Sequence, residues 1–491
     1  FGTAPIENLS LANIDHIEIV RGNVSSLYGS NALGGVIQIF TKEGSGKNST
    51  HASYQLRSRN MMNLQAGTAI ALNDDIQVTL QSQTLRDAGI NATNQSKFPY
   101  SNPDQDGYSN KQFSTGLTKR FDRGLINLSF SDTHANTEYD SQYGPPTQRD
   151  VSENVLRQTS LNGRFNPTDH IKIETLVSQS INRLNAKVTA YPYFVNSAVD
   201  LSNIGVEWSL GDYQKITTGF ENTKQTLVSD TQYKNNARTD NAYRLGYLLQ
   251  SIQHQLQLNL RQDNYTDYGQ SQTGLLAYAF KPNEVLRLNA NASNGFMAPT
   301  FNDLYYPYGG NPNLKAEKLN SNEFGFTLKN DNHSLQMIRF NNRYKDLIDN
   351  DSNYVRTNIA SAQNIGTETI YMGNFLNQIV NASYTQQNPI NLITNQQLYR
   401  RGKYLFTASI TQKLDALNLV AEIKNSSSRI DGANRVLDQY TLLNLSVSKK
   451  IDTQWTTSAK INNFFNKQYE SLYGYNTFGR SLMVELKWQD K

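Results

Sequence analysis

Three aspartates are candidates for metal chemistry by residue type, and two of them also by spacing. Asp104 and Asp106 stand two residues apart beside Gly107, and Asp150 lies further along the chain. Carboxylates at this spacing can direct their oxygens at one hard cation, and Ca²⁺ takes about 6–8 oxygen ligands. Aspartate is also a common turn former, so an Asp-x-Asp-Gly motif alone is a weak indication. Asp104 and Asp106 could therefore share one hard cation such as Ca²⁺, with Asp150 as a further candidate ligand, and the turn-former alternative stays open.

Other residue types that perform chemistry are scarce or scattered. The chain has no Cys, so neither disulfides nor thiolate metal sites can form. No arrangement of a nucleophile with a base points to catalysis, so the chain is not predicted to be an enzyme. The net charge of +4 on 491 residues is too small to indicate a nucleic-acid partner. Zinc or haem is not expected either, because the six histidines show no ligand spacing: His16, His51, His134, His170, His254 and His333.

Tyrosine is the most conspicuous residue type, with 28 copies, many of them in long stretches rich in Asn and Gly. Tyr and Asn together present apolar area and hydrogen-bonding groups, which suits a large amide-bearing ligand. The alternative is that tyrosines at strand ends form the aromatic belt at a membrane interface. The candidates for ligand binding are Tyr108, Tyr139, Tyr143, Tyr305, Tyr306 and Tyr308, with Tyr100, Tyr191 and Tyr193 nearby in similar stretches.

The elements that must position these residues are β-strands. Apolar and polar residues alternate along most of the chain, as in 76–81, where Ile76, Val78 and Leu80 are separated by polar residues. A soluble sandwich alternates in the same way, so the period alone leaves both architectures open. No run approaches the roughly 18–20 apolar residues of a membrane helix, which excludes helical membrane proteins.

The spacing of the turns favours a membrane barrel. Short polar turns alternate with long loops such as 87–110 and 294–319, which is typical of outer-membrane barrels with turns in the periplasm and loops outside. Ten such turns join eleven pairs of strands, which predicts an all-β, antiparallel transmembrane barrel of about 22 strands over residues 47–491. A barrel that wide leaves a lumen that must be plugged. The turns lie at 73–75, 122–124, 166–169, 211–212, near 251, at 281–284 and 330–332, near 377, and at 415–416 and 452–453.

Residues 1–46 do not follow the barrel pattern. A strand at 14–22 precedes a segment with glycines at 22, 29, 34 and 35, as a small domain packed inside a barrel would need. No Gly-Lys-Ser/Thr follows, so the glycines do not indicate a phosphate-binding loop. Residues 17–41 resemble the C-terminal half of the plug domain of TonB-dependent receptors. The stretches 294–305, 311–318 and 461–470 are similar to barrel segments of the same family.

This resemblance implies an outer-membrane receptor that imports a large, scarce nutrient with energy from TonB. Residues 469–480 and 104–108 are most similar to the receptors for cobalamin in this family. The resemblance implies that cobalamin or another large metal chelate is the cargo, that calcium binds the matching loops, and that Arg21 contacts carboxylates of the barrel wall. Residues 1–46 then form the C-terminal part of the plug, and we expect the chain to be truncated before them.

The alternatives differ in cargo or in class. A ferric-siderophore receptor would use the same machinery, but anionic chelates are bound by Arg and Lys side chains, which the loops would have to supply. Asn, Tyr, Ser and Gln dominate the long loops here and favour a less charged cargo. An outer-membrane barrel enzyme would need a Ser/His/acid cluster, and a diffusion porin would lack residues 17–41. The expected partners are the cargo, TonB in the full-length protein and outer-membrane lipid, with the receptor as a monomer.

Overall fold

Two kinds of structure make up the protein, an N-terminal segment and a large set of long strands. A computed structural model describes residues 5–10, 14–42, 46–140, 147–188 and 191–490. The N-terminal segment consists of a 3₁₀ helix (Ile6–Asn8), β1 (Ile14–Arg21), α1 (Ser25–Tyr28) and β2 (Gly35–Thr41), and β1 pairs with β2 in an antiparallel hairpin. None of the helices among the described residues is long and apolar enough to cross a membrane.

The remaining strands follow one another along the chain from residue 49 onwards. They are β3 (Ser49–Arg57), β4 (Met61–Ala71), β5 (Ile76–Ile90), β6 (Asp106–Phe121), β7 (Gly124–Tyr139), β8 (Asp150–Thr168), β9 (Ile171–Lys187), β10 (Tyr193–Leu210), β11 (Gln214–Ser229), β12 (Ala237–Gln250), β13 (His254–Tyr265), β14 (Gly269–Phe280) and β15 (Leu286–Met297). After α2 (Phe301–Tyr305) come β16 (Glu317–Lys329), β17 (His333–Asn350), β18 (Arg356–Phe375), β19 (Gln378–Asn391), β20 (Tyr404–Leu414), β21 (Leu417–Ser426), β22 (Arg429–Asp431), a 3₁₀ helix (Gly432–Asn434), β23 (Arg435–Leu437), β24 (Tyr440–Lys450), β25 (Trp455–Asn462) and β26 (Ser481–Gln489).

Twenty-two of these strands form one closed antiparallel barrel. Each strand from β3 to β20 pairs with its successor, and the barrel continues from β21 to β24, β25 and β26, while β22 and β23 form a separate small hairpin. The last strand closes the barrel on the first, with Met483 opposite Arg57 and Gln489 opposite His51. The predicted strand number is therefore confirmed, and short turns lie at or beside all ten predicted positions.

One predicted turn begins three residues later than expected. The sequence placed it at 166–169, but β8 continues to Thr168 and the chain turns at 169–170. The pairing of β8 with β9 shifts register between Phe165 and Thr168. Proline has no N–H to give to a ladder and is accommodated in strands at such irregularities, so Pro167 does not end the strand.

The strands bury their polar residues and expose their apolar ones, which is the reverse of the pattern in a soluble sandwich. On β5, Gln77 has only 1% of its surface exposed, and Thr79, Gln81 and Gln83 are also buried. The apolar Leu80 on the opposite face is exposed, as are Leu258 and Leu260 on β13. Strands that bury polar residues and expose apolar ones are typical of a barrel whose outer face contacts lipid. The sandwich alternative is thereby excluded.

The N-terminal segment lies in the lumen and is hydrogen-bonded to the wall. Asn110 Nδ2 of β6 donates to the Asn8 carbonyl oxygen at 3.0 Å. On the other side, Asn23 Nδ2 donates to Ser293 Oγ of β15 at 3.1 Å, and α1 packs on β13, β14 and β15. A Cβ on Gly295 would lie 2.4 Å from Asn23 Oδ1. Glycine is therefore required at this point of the wall for the backbone of β15 to approach the segment so closely.

The exposed apolar face predicts how the barrel responds to charge. Leu260→Arg, near the middle of β13 and 62% exposed, should lower the free energy of unfolding by about 2–4 kcal/mol, because the guanidinium would face hydrocarbon. The measurement is reversible urea unfolding of the protein inserted in lipid vesicles. Ile252→Arg is the matched control, since Ile252 is 83% exposed in the turn before β13. Equal destabilisation by both substitutions would contradict the assignment of the lipid face.

Candidate functional site

Three carboxylates come together at the loop end of β6 and β7. One oxygen each of Asp104, Asp106 and Asp140 lies within 4.8 Å of the other two, and all three residues are half-buried. In the part of the chain that the structure describes, no second group of three such residues assembles. Because β6 and β7 each have 16 residues and about 10 suffice to cross a membrane, the group lies beyond the membrane-spanning part.

Loop contacts hold this group in place. Ala92 N donates to Asp106 Oδ2 at 2.7 Å, and the Thr93 hydroxyl donates to Asp140. Thr93 also bridges to Tyr475, which ties the loop after β5 to the loop before β26. Arg149 Nε donates to Asp104 Oδ2 at 3.1 Å from an exposed side chain.

Burial and mutual repulsion make it unfavourable for all three carboxylates to be ionised together. Burial, together with the neighbouring carboxylates of Asp140 and Asp104, raises the pKa of Asp106 to about 6. Burial and the charges of Asp104 and Asp150 raise the pKa of Asp140 as well. Both shifts mean that the ionised form of the group is disfavoured unless a cation compensates it. Oxygen donors with this excess of negative charge fit a hard divalent cation such as Ca²⁺.

The third member of the group differs from the one that the sequence suggested. Asp150, at the start of β8, lies outside the three-carboxylate group, is almost fully buried and accepts a hydrogen bond from Gln148 Nε2. β7 pairs with β6, with Thr137 opposite Tyr108, so Asp140, just past the end of β7, lies near Asp104 and Asp106 at the start of β6. The position of Asp140 directly after the alternating stretch of β7 was the one sequence signal for it.

The predicted ligand-binding tyrosines fall into separate places. Tyr108 points into the lumen, where its hydroxyl donates to Asn8 Oδ1 at 3.0 Å. Tyr139 ends β7 opposite Asp150, and Tyr143 lies outside the described residues. Tyr305 packs on the buried cluster of Val195, Leu227 and Phe301.

Tyr306 and Tyr308 do come together at the outer rim. Their rings are 5.6 Å apart and nearly perpendicular, and Tyr308 is 78% exposed. They border a cavity of about 220 Å³ between the loop after α2 and the loop that joins β17 to β18. The rest of its lining was not predicted and comprises Asn302, Gly309, Asn350, Tyr354 and Arg356.

Local structure explains how this rim cavity, defined by the seven residues above, is held open. Thr300 caps α2, because its hydroxyl oxygen accepts a hydrogen bond from Asp303 N at 3.2 Å. In return, Thr300 N donates to the carboxylate of Asp303 at 2.9 Å. Asp303 also pairs with Arg356 Nε at 3.3 Å and so joins the two loops. Gly309 has a φ of +144°, and a Cβ there would lie 2.6 Å from the Tyr354 carbonyl oxygen.

Arg21 lies at the end of β1 and forms an ion pair with Glu368 on β18. The neighbouring Gly22 lies against a second wall carboxylate, because a Cβ there would be 2.9 Å from Glu323 Oε1. Arg261 of the wall is buried and forms ion pairs with Glu221 and Asp263, each at 2.8 Å. Gly29, which follows α1, lies against the guanidinium of Arg261. The N-terminal segment therefore meets charged groups of the wall on two sides.

Family models match both parts of the chain. The model described as "TonB dependent receptor-like, beta-barrel" matches residues 47–464, and the model described as "TonB-dependent Receptor Plug Domain" matches residues 1–36.

Curated relatives match along nearly the whole chain. A protein named vitamin B12 transporter BtuB from Photobacterium profundum is 26% identical over 494 residues, which covers 98% of this chain and 80% of the relative. A protein of the same name from Vibrio vulnificus is 24% identical and covers 94% of this chain and 76% of the relative.

Solved structures share the fold. A mutant of the ferric enterobactin receptor PfeA from Pseudomonas aeruginosa has a TM-score of 0.86 at 16% identity, covering 98% of this chain and 86% of that one. The siderophore receptor PirA from Acinetobacter baumannii has a TM-score of 0.85 at 16% identity, covering 97% of this chain and 85% of that one. At such identities the likeness shows the fold alone.

The capping of α2 generates a prediction about the rim cavity. Thr300→Ala should remove the cap and cost about 1 kcal/mol of local stability. Hydrogen exchange of the amides in Phe301–Tyr305 should then accelerate roughly fivefold, since 1.4 kcal/mol corresponds to about tenfold. Amides of β16 in the same sample are the internal control and should keep their exchange rates. Unchanged exchange in α2 would show that packing of Phe301 and Leu304, rather than the cap, holds the helix.

Proposed function

We propose that this chain, which belongs to the TonB-dependent receptor family, imports cobalamin or a related corrinoid across the outer membrane. Its barrel is that of an outer-membrane protein, with an apolar band facing lipid and long loops at one end. The observation that carries the choice of cargo is the match of 98% of the chain to a relative named as a vitamin B12 transporter. The family is one of receptors and transporters, so we also propose import rather than catalysis.

The rim cavity has the chemistry that such a cargo requires. A corrinoid is a broad ring system with carboxamide groups on its edge. Tyr306, Tyr308 and Tyr354 offer aromatic faces, and Asn302 and Asn350 offer amides that both donate and accept hydrogen bonds. A cavity of about 220 Å³ is smaller than the roughly 300–1,000 Å³ of pockets that enclose a ligand. We therefore infer that it holds one edge of the cargo at the outer surface.

Charge at the rim favours this cargo over the siderophore alternative. A ferric catecholate is anionic and is recognised by Arg or Lys side chains that are free to pair with it. Among the described residues that line the rim cavity, Arg356 is the one cation, and it is already paired with Asp303 at 3.3 Å. A neutral, amide-rich cargo requires no such free cation.

Calcium belongs to the same proposal. Asp104, Asp106 and Asp140 would hold the ion, which would add to the positive charge of Arg149, the side chain that pairs with Asp104. Hydrogen bonds already connect these carboxylates to the loop after β5. Asp106 accepts one from Ala92 N, and Asp140 accepts one from the Thr93 hydroxyl. Neutralising their repulsion would stabilise the outer loops in one arrangement and so favour capture of the cargo.

Partners follow from the family and from the closed barrel. Receptors of this family work with TonB and take large substrates, and we propose both for this chain. One copy closes its own barrel through the β26–β3 pairing, which leaves no wall strand that needs a second copy. We therefore propose a monomer surrounded by outer-membrane lipid.

A binding titration tests the proposed cargo and its place. Purified protein should bind cyanocobalamin with saturation, and the double variant Tyr306→Ala/Tyr308→Ala should bind at least tenfold more weakly because it loses both aromatic faces. Equilibrium dialysis measures both affinities. Tyr213→Ala is the control, since Tyr213 is an exposed tyrosine in the short turn between β10 and β11. Absence of binding by the unaltered protein would refute the function, and unchanged binding by the double variant would refute the site.

Calorimetry with Ca²⁺ tests the metal. Asp140→Asn should weaken binding at least tenfold, about 1.4 kcal/mol, because it removes one anionic ligand. Asp169→Asn, which alters an exposed aspartate in a short turn at the other end of the barrel, should leave the affinity unchanged. If Asp140→Asn bound Ca²⁺ like the unaltered protein, the three carboxylates would be loop residues without a metal.

A further inference from the structure

A polar cavity lies in the lumen wall near the short-turn end of β13, β14 and β15. Its volume is about 220 Å³, and Gln255, Gln257, Asn289 and Asn291 line it together with Ala277. Gln255 is two residues from the turn at 251–253, so the cavity lies at the periplasmic end of the lumen. It is thus at the opposite end of the barrel from the rim cavity.

The sequence of the three strands explains why there is a gap here. Lumen-facing positions of β13 and β15 carry long polar side chains, whereas those of β14 carry Ala277 and Ala279. The alanines form a low floor between two walls of amides. Arg287 is part of one wall, where its Nη2 donates to Gln255 Oε1 at 2.9 Å. Its Nε is buried and donates to no group, so one hydrogen-bond donor of the wall is unused.

The same strands carry the contacts of the N-terminal segment. Along the lumen face of β15, Arg287, Asn289 and Asn291 of the cavity are followed by Ser293 and Gly295, which contact Asn23. α1 packs on the same three strands, and Gly29, which follows α1, lies against Arg261, four residues beyond Gln257 on β13. A cargo that passes this part of the wall on its way inwards therefore meets the amides of the cavity next.

The lining selects one ligand chemistry. Side-chain amides present both N–H donors and carbonyl acceptors, and a carboxamide offers the complementary set. A carboxylate could accept from the amide N–H groups and from Arg287, but it has no donor for the amide oxygens, which the N–H₂ of a carboxamide supplies. The volume suits a single side arm and not a whole ring system.

We propose that this cavity is a second, exit-side subsite that binds a carboxamide arm of the cargo before release to the periplasm. The identity of the cargo rests on the proposed function, whereas the preference of the cavity for carboxamides does not. Binding here would be weak, because one arm makes few contacts and a cargo in transit must leave.

The absence of native cysteine provides a clean reporter. Ala277→Cys places one thiol on the floor of the cavity, and Asn289→Cys is a second reporter if the first variant folds poorly. Ser448→Cys is the matched control. Ser448 is half-buried, lies close to a short turn of β24, and is on the same face of the strand as the buried, lumen-facing Asn444. The rate of modification by a maleimide is measured in detergent with millimolar cyanocobalamin, propionamide or propionate, and tight cyanocobalamin binding is measured on the same samples.

We expect cyanocobalamin and propionamide to slow modification of Ala277→Cys at least threefold, with propionate and the Ser448→Cys control showing no such effect. Equal protection at both positions would overturn the subsite, since it would show general filling of the lumen. Equal protection by propionate would overturn the carboxamide preference. Tight binding without protection by cyanocobalamin would refute the subsite alone. Protection by propionamide in a sample that lacks tight cyanocobalamin binding would support the cavity and refute the proposed cargo.

Discussion

The structure depends on one constraint, which is that a backbone in lipid must satisfy all of its hydrogen bonds within the protein. Strands meet this constraint only when the sheet has no edge, and the pairing of β26 with β3 removes the last one. Closure with 22 strands makes a wide lumen, so the inner face is polar and the outer face apolar. The reversed burial of Gln77 and Leu80 on β5 is a direct consequence.

The wide lumen in turn determines how the N-terminal segment is held. A dry core would have packed it with apolar side chains, but here polar and charged groups meet, such as Asn23 with Ser293 and Arg21 with Glu368. Gly295 of the wall and Gly29 of the N-terminal segment allow the two parts to approach closely, at points where a side chain would collide with Asn23 or Arg261. Because the barrel and this segment form the scaffold, the outer loops remain available for the carboxylate group and the rim cavity.

The parts of the fold that are local in sequence could be predicted, and the parts that depend on contacts between loops could not. Period-two alternation and polar turns are set by neighbouring residues, which is why the strand number was correct and only the turn after Pro167 was displaced. Asp140 joins Asp104 and Asp106 through the pairing of β6 with β7, and the register between two strands cannot be read from either strand alone. Tyr354 and Asn350 reach Tyr306 and Tyr308 across two separate loops, so the full rim cavity could not be predicted.

The proposed function requires that the outer loops recognise a neutral, amide-bearing corrinoid and not an anionic iron chelate. A competition measurement tests it directly, with labelled cyanocobalamin bound to the purified protein in the presence of calcium. We expect unlabelled cyanocobalamin to displace the label and a tenfold excess of ferric enterobactin to leave it bound. Displacement by ferric enterobactin, or saturable binding of that chelate in place of cyanocobalamin, would refute recognition of a neutral cargo.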